Sequence, residues 1–137
     1  MAMVDRIIGV IADHYPGIQG IYLFGSFGTE YERAESDVDI ALLLPPMPAG
    51  SESDLQFSPC RTALAKLLRR DVDLINVRQA STVFQKEIIA EGRLILCADR
   101  YAVEEFEMLV LSLYQTLNEE RREILDTFAA DGRAYPV

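Results

Sequence analysis

Gly20-Ile-Tyr-Leu-Phe-Gly-Ser26, a gap of ten residues, and then Asp37-Val-Asp-Ile-Ala-Leu-Leu-Leu44 form the stretch that decides the fold. Gly20 to Gly25 is a short apolar run bounded by glycines, the pattern of a buried strand. Val38 to Leu44 is a second run of the same kind, stopped by Pro45-Pro46. Asp37 and Asp39 alternate at its head, so in a strand both carboxylates point to one face. Val38, Ile40 and Leu42 then take the opposite face into the core. Gly25 ends the first strand, where the lack of a side chain lets backbone amides approach a ligand. Ser26 adds a hydroxyl and an amide, and at a helix N-terminus it would suit a phosphate. Ser26 to Ser36 is polar and charged, which predicts a surface segment, helical in part.

Outward from this stretch, helices and strands alternate. Asp5 to Tyr15 carries Ile7, Ile8, Val10, Ile11 and His14 at helical spacing and ends at Pro16-Gly17. Pro45 to Pro59 is rich in Pro, Gly and Ser and reads as a loop. Ser58 and Pro59 suit the N-cap and first position of the next helix, whose apolar stripe is Ala63, Leu64, Leu67 and Leu68. Val72 to Val77 is a third strand. Ser81 caps a helix over Thr82 to Glu91, with Gly92 expected as its left-handed terminator. Leu94 to Cys97 is a fourth strand. From Asp99 to about Phe128 a long helix aligns Phe106, Leu109, Val110, Leu113, Leu117, Ile124, Leu125 and Phe128. This order predicts a small α/β (α+β) domain, a mixed β-sheet flanked by helices, with a long C-terminal helix.

The chain has 137 residues, half of them hydrophobic, enough for one ordered domain with its own core. Thirteen basic against twenty-two acidic residues give a net charge of -9. That balance argues against direct nucleic-acid binding, which draws on clustered Lys and Arg. Cys60 and Cys97 form no metal-type pair and read as small buried hydrophobes. His14, alone near a helix end, reads as packing or as a helix C-terminal charge. No signal-peptide pattern opens the chain, and no apolar run approaches the roughly 18 residues of a membrane helix. A soluble, cytoplasmic protein with no membrane contact is expected.

Two like charges side by side at a strand edge repel, and a divalent cation reverses the sign of that argument. Mg2+ takes oxygen ligands and is commonly held by one or two carboxylates together with substrate phosphates. Asp73 opens the third strand, and if that strand neighbours the second, it comes within reach of Asp37 and Asp39. Asp71 repeats the Asp-Val-Asp triplet, but Asp73 adjoins the apolar run and so belongs to the sheet. Three carboxylates, a metal and a Gly-Ser phosphate cradle describe nucleotidyl transfer. The metal would neutralise the triphosphate and orient it, while Asp73 could take the proton of the attacking hydroxyl. Arg78, just past the third strand, is a candidate for phosphate or adenine, or else a surface arginine paired with an acid.

At these residues the chain resembles the minimal nucleotidyltransferases of the DNA polymerase β-type superfamily. More narrowly, it is similar to the MntA antitoxins of HEPN–MNT (type VII) toxin–antitoxin pairs. That likeness includes Asp71-Val-Asp-Leu, Val77-Arg78 and Ala80-Ser-Thr-Val83, and runs from Ile7 to about Phe128. The resemblance implies an ATP- and Mg2+-dependent protein adenylyltransferase that places AMP on a tyrosine of a partner HEPN ribonuclease toxin and silences it. It implies a polymerase β-like fold, with residues 1–98 as the minimal nucleotidyltransferase domain. Residues 99–137 would be a helix packed on that domain or on a partner, in a homodimer or hetero-oligomer. Asp37, Asp39 and Asp73 become catalytic and metal-binding residues, and Gly25 and Ser26 hold the β and γ phosphates. Many relatives carry glycine four residues after the serine, where this chain has Glu30, a change that bears on rate rather than fold. A second reading is a non-catalytic antitoxin that silences its partner by binding alone. A small-molecule acceptor such as an aminoglycoside ranks third, because the chain lacks room for a domain to hold it.

Overall fold

The computed structural model describes residues 2–27, 29, 30, 32, 33, 36–47 and 54–131, with only the helical backbone for 128–131. The central part of the expected loop, residues 48–53, and the segment 132–137 lie outside the described residues. The elements are α1 (Met3–His14), β1 (Gly20–Phe24), β2 (Val38–Leu43), α2 (Pro59–Leu68), β3 (Val72–Asn76), α3 (Thr82–Glu91), β4 (Arg93–Cys97) and α4 (Arg100–Asp131). Short 3-10 turns at Leu55–Phe57 and Val77–Gln79 precede α2 and α3. The sheet order is β3-β2-β1-β4. β1 pairs antiparallel with β2 and with β4, while β2 and β3 run parallel. A parallel neighbour needs a crossover, and α2 supplies it.

The capping signals act as their chemistry requires. The Ser58 hydroxyl accepts from Arg61 N at 3.2 Å with Pro59 opening α2. The Ser81 hydroxyl accepts from Phe84 N at 3.2 Å. Asp99 Oδ1 accepts from Ala102 N at 3.0 Å at the start of α4. Each such cap satisfies an amide that the first helical turn would leave unpaired, contributing about 1 kcal/mol.

Strand alternation divides the core in two. Val38, Ile40 and Leu42 join Ile7, Ile11, Ile21, Cys60 and Leu64 under α1 and α2. Ala41 and Leu43 face the other way, with Tyr22, Val77, Ile88, Val103, Phe106 and Val110 under α3 and α4. β2 is therefore apolar on both faces, and only its carboxylate-bearing end is left uncovered. Burial pushes the Cys60 thiol up to about 11, in keeping with its role as an apolar filler. Along α4, Val103, Phe106 and Val110 pack on the domain, whereas Leu109, Leu113, Leu117, Ile124 and Leu125 are exposed. The side chain of Phe128 lies outside the described residues.

Three local expectations are corrected. Gly92 has φ -76, not a left-handed angle. Its glycine answers crowding, since a Cβ there would run into the Ile88 carbonyl oxygen and lie 3.2 Å from that of Leu23. Cys97, at the end of the outer strand β4, is exposed rather than buried. Between β1 and β2 the described residues form turns and bends with no helix, so Ser26 sits in a turn, not at a helix N-terminus.

Candidate active site

The parallel pairing of β2 with β3 places Asp39 and Asp73 side by side as register partners. The antiparallel pairing of β1 with β2 places Phe24 opposite Asp39. Gly25 is thereby brought against the Asp39 carboxylate. Its φ of +75 is a left-handed value that favours glycine, and a Cβ there would overlap Asp39 Oδ2 and lie 3.2 Å from Cγ. The turn that follows is held from several sides. Thr29 Oγ1 donates to Ser26 O at 2.6 Å. Arg93 Nη2 donates to Phe27 O, and the Arg70 guanidinium lies 5.5 Å from the centre of the Phe27 ring.

Electrostatics mark the same point. The Asp39 carboxyl is pushed up to about 6, first by burial, then by the charge of Asp73 and a hydrogen bond with it, then by Asp37. Asp37 lies just before β2 and is exposed, so it stands at the rim while Asp39 is half-buried. Asp73 is exposed on β3, and its Oδ1 accepts from Gln56 Nε2 at 3.0 Å. Gln56 also accepts, through Oε1, from Leu74 N at 2.6 Å. One side-chain amide thus caps the outer edge of β3 and orients the neighbouring carboxylate. Asp71 lies before the strand, exposed, with its carbonyl accepting from Val38 N at 2.9 Å.

The sheet therefore brings together Gly25, Ser26, Asp37, Asp39 and Asp73, and leaves Arg78 apart. Arg78 follows the far end of β3. Its Nε donates to Leu44 O at 2.6 Å and its Nη2 to Gln19 Oε1 at 2.7 Å. Its guanidinium sits 5.6 Å from the centre of the Phe106 ring, and burial lowers its pKa. These bonds tie two loops and α4 together at the end of the sheet opposite the carboxylates. Glu30 is exposed.

The polymerase beta nucleotidyltransferase family model matches residues 6–101, which span the whole sheet and all the acids of this cluster. The chain belongs to that nucleotidyltransferase family. It is 34% identical, over 95% of its length and 90% of the relative's, to the protein adenylyltransferase MntA of Shewanella oneidensis. It resembles a chain of a toxin–antitoxin crystal structure with AMP-PNP, with a TM-score of 0.74, 32% identity, and 93% of this chain and 99% of the other covered. It also resembles a chain of a complex between a tri-AMPylated Shewanella oneidensis HEPN toxin and MNT antitoxin, with a TM-score of 0.68, 31% identity, and coverage of 92% and 95%.

For a nucleotidyltransferase the donor set fits a divalent cation. Asp37, Asp39 and Asp73 offer oxygen ligands only, and the Asp39 carboxyl, raised by burial and then by the charges of Asp73 and Asp37, is one whose ionised form a cation would stabilise. Among the described residues no three His, Cys, Asp or Glu side chains are grouped so as to hold a metal ion by themselves. Gln56 was not singled out by sequence patterning. It lies in a stretch read as loop, and the one available signal is Asp54, which caps the short turn by accepting from Gln56 N at 2.9 Å.

Proposed function

We propose that the protein transfers AMP from ATP to a tyrosine of a partner HEPN-type toxin, with Mg2+, and thereby neutralises that toxin. The observation that carries this reading is the Gly25–Asp39–Asp73 juxtaposition at the open end of a nucleotidyltransferase sheet. The names of its relatives support the acceptor and the nucleotide, since one is a protein adenylyltransferase and another occurs with an AMPylated HEPN toxin. The exposed apolar side chains of α4, among them Leu109, Leu117, Ile124 and Leu125, support a protein partner.

The roles follow from position. Gly25 and Ser26 seat the β and γ phosphates, because a residue without a side chain leaves the turn amides open beside Asp39. Asp37 and Asp39, with Asp73, would hold Mg2+, which when bound offsets triphosphate charge and orients the α-phosphate. Asp73, held by Gln56, accepts the proton of the tyrosine hydroxyl. The phenolic oxygen bonds to the α-phosphorus, the bond to the β-phosphate oxygen breaks, and pyrophosphate leaves. Arg78 is assigned to scaffolding, not to nucleotide, because its Nε and Nη2 are committed to Leu44 O and Gln19 Oε1 at the other end of the sheet.

The test is the intact mass of the co-expressed toxin. A gain of one or more AMP units with wild type, and none with Asp39→Asn, is the expected result. An unmodified but inhibited toxin would favour the second reading, silencing by binding alone, for which the exposed face of α4 is the motivating feature.

A further inference from the structure

The outward side of α2, away from the buried Cys60 and Leu64, carries a groove of opposite sign to the carboxylate cluster. This cavity of about 560 Å3 is walled by Arg61, Thr62, Lys66, Arg69, Arg70 and Asp71, among others. Four of the thirteen basic residues thus meet in one place, on a chain whose net charge is -9. Arg61 Nε donates to Val72 O at 3.0 Å, which fixes its guanidinium. Arg70 lies against the Phe27 ring and 3.5 Å from Glu32, which answers its charge. Among the described residues Arg61, Lys66 and Arg69 have no ion pair. The helix dipole accounts for Lys66 in the last turn of α2, but it opposes Arg61 in the first. Arg69 caps α2 at φ 56 and ψ 40, and it is the only non-glycine residue with positive φ among the described residues. Helix ends usually give that left-handed position to glycine, which adopts it without strain. An arginine held there keeps a long cation on the groove against a strained backbone.

We propose, resting on the reading of a toxin partner above, that this groove is the docking site for an acidic segment of the toxin. Guanidinium groups bind carboxylates through paired, parallel hydrogen bonds, and three arginines with a lysine suit several Asp or Glu side chains on one segment. A nucleic acid is the poorer occupant. Its affinity grows with an extended track of cations, and among the remaining residues of this chain acids outnumber bases more than two to one. The same imbalance makes the groove selective, because an acidic segment is drawn to α2 and repelled elsewhere. The groove also opens at the carboxylate end of the sheet. Asp71, on its wall, accepts from Val38 N through its carbonyl at 2.9 Å, and Val38 directly follows Asp37. A segment seated here therefore approaches the cluster of acids without occupying it, and the Asp71 carboxylate marks the end at which an acidic stretch must stop.

Lys66 and Arg69 are exposed, so reversing their charge leaves the core intact. Affinity of the full chain for the purified toxin is measured at low and high salt in wild type, Arg69→Gly and the double variant Lys66→Glu/Arg69→Glu, with AMP-PNP affinity and denaturation midpoints alongside. The expected result is a toxin affinity lowered about tenfold or more in the double variant at low salt, and by less at high salt. Arg69→Gly is expected to raise the denaturation midpoint, because the left-handed strain is relieved, and yet to lower toxin affinity about threefold. AMP-PNP affinity stays unchanged in both. An undiminished toxin affinity in the double variant overturns the proposal. Loss of AMP-PNP affinity in step with toxin affinity overturns it too, by making the groove part of the nucleotide site. An oligouridylate RNA that binds wild type and not the double variant, with toxin affinity intact, would assign the groove to nucleic acid instead. A wild type that binds toxin in this salt- and Arg69-dependent way but transfers no AMP would defeat the adenylyl-transfer reading and uphold the docking site. A wild type with no affinity for the toxin defeats both.

Discussion

Asp39 and Asp73 are direct partners in the parallel β2–β3 register, and burial together with the neighbouring charge of Asp73 raises the pKa of Asp39. A fold that sets two acids against each other, and a third close by, gains nothing in stability from doing so. The arrangement makes physical sense as a receptor for positive charge.

That relationship predicts a pH signature. The Asp39 carboxyl titrates at about 6 in the fold against an ordinary 3.8. Between those values the native state binds more protons than the unfolded one, so this group's contribution falls as pH rises through the window. Asp39 is part exposed, and after screening the loss is on the order of 1 kcal/mol. Urea melts of wild type and Asp39→Asn between pH 4 and 7 should differ accordingly, with the variant gaining relative stability toward pH 7. Curves that stay parallel would refute the assignment. Added Mg2+ should stabilise wild type at pH 7 and have less effect on the variant.

Gly25→Ala tests the cradle. The added Cβ meets the Asp39 carboxylate and the backbone sits at φ +75. Left-handed backbone costs a non-glycine residue about 1–2 kcal/mol. Stability should fall by about that amount, while AMP transfer falls at least about a hundredfold because the carboxylate is displaced. Denaturation midpoints and toxin mass measure the two effects separately. A variant as active as wild type would remove Gly25 from the site.

Much of this architecture was legible because short-range chemistry dictated it. Ser58-Pro59 and Ser81 announce helix starts by hydrogen-bonding logic, and glycine-bounded apolar runs announce β1 and β2. Asp73 could be preferred to Asp71 because only Asp73 adjoins a buried run. What depended on distant parts of the chain was not legible. Gln56 lies 18 residues from Leu74, and nothing local foretells that its amide will close the β3 edge. Arg78 read as a ligand candidate because its partners, Leu44 and Gln19, lie 34 and 59 residues away. Cys97 misled for a similar reason, since its exposure follows from the position of β4 at the edge of the sheet.

Gln56→Leu keeps the size of the side chain and removes both of its hydrogen bonds. Leu74 N then loses its partner at the sheet edge and Asp73 loses its donor. Leaving such groups unpaired costs about 1–3 kcal/mol, less where water can reach them. Stability should drop modestly while kcat drops further, since Asp73 is no longer oriented. Gln56→Glu, which restores an acceptor for Leu74 N but faces Asp73 with like charge, should recover stability only in part and leave kcat low. Full recovery of kcat in Gln56→Glu would show that the Asp73 contact is dispensable.

Arg78 separates scaffold from substrate binding. Its guanidinium donates to Leu44 O and Gln19 Oε1 and lies against the Phe106 ring, bridging two loops and α4. Arg78→Ala therefore strands a carbonyl and an amide oxygen and removes a cation–π contact, for a loss of about 2–3 kcal/mol. Arg78→Lys should recover little, because an ammonium cannot reproduce the planar fork. Affinity for AMP-PNP, measured below the melting range of the variants, should stay within about twofold of wild type, since twofold corresponds to about 0.4 kcal/mol. A selective tenfold loss of nucleotide affinity with little change in stability would instead return Arg78 to the nucleotide site and require the far end of the sheet to take part in binding.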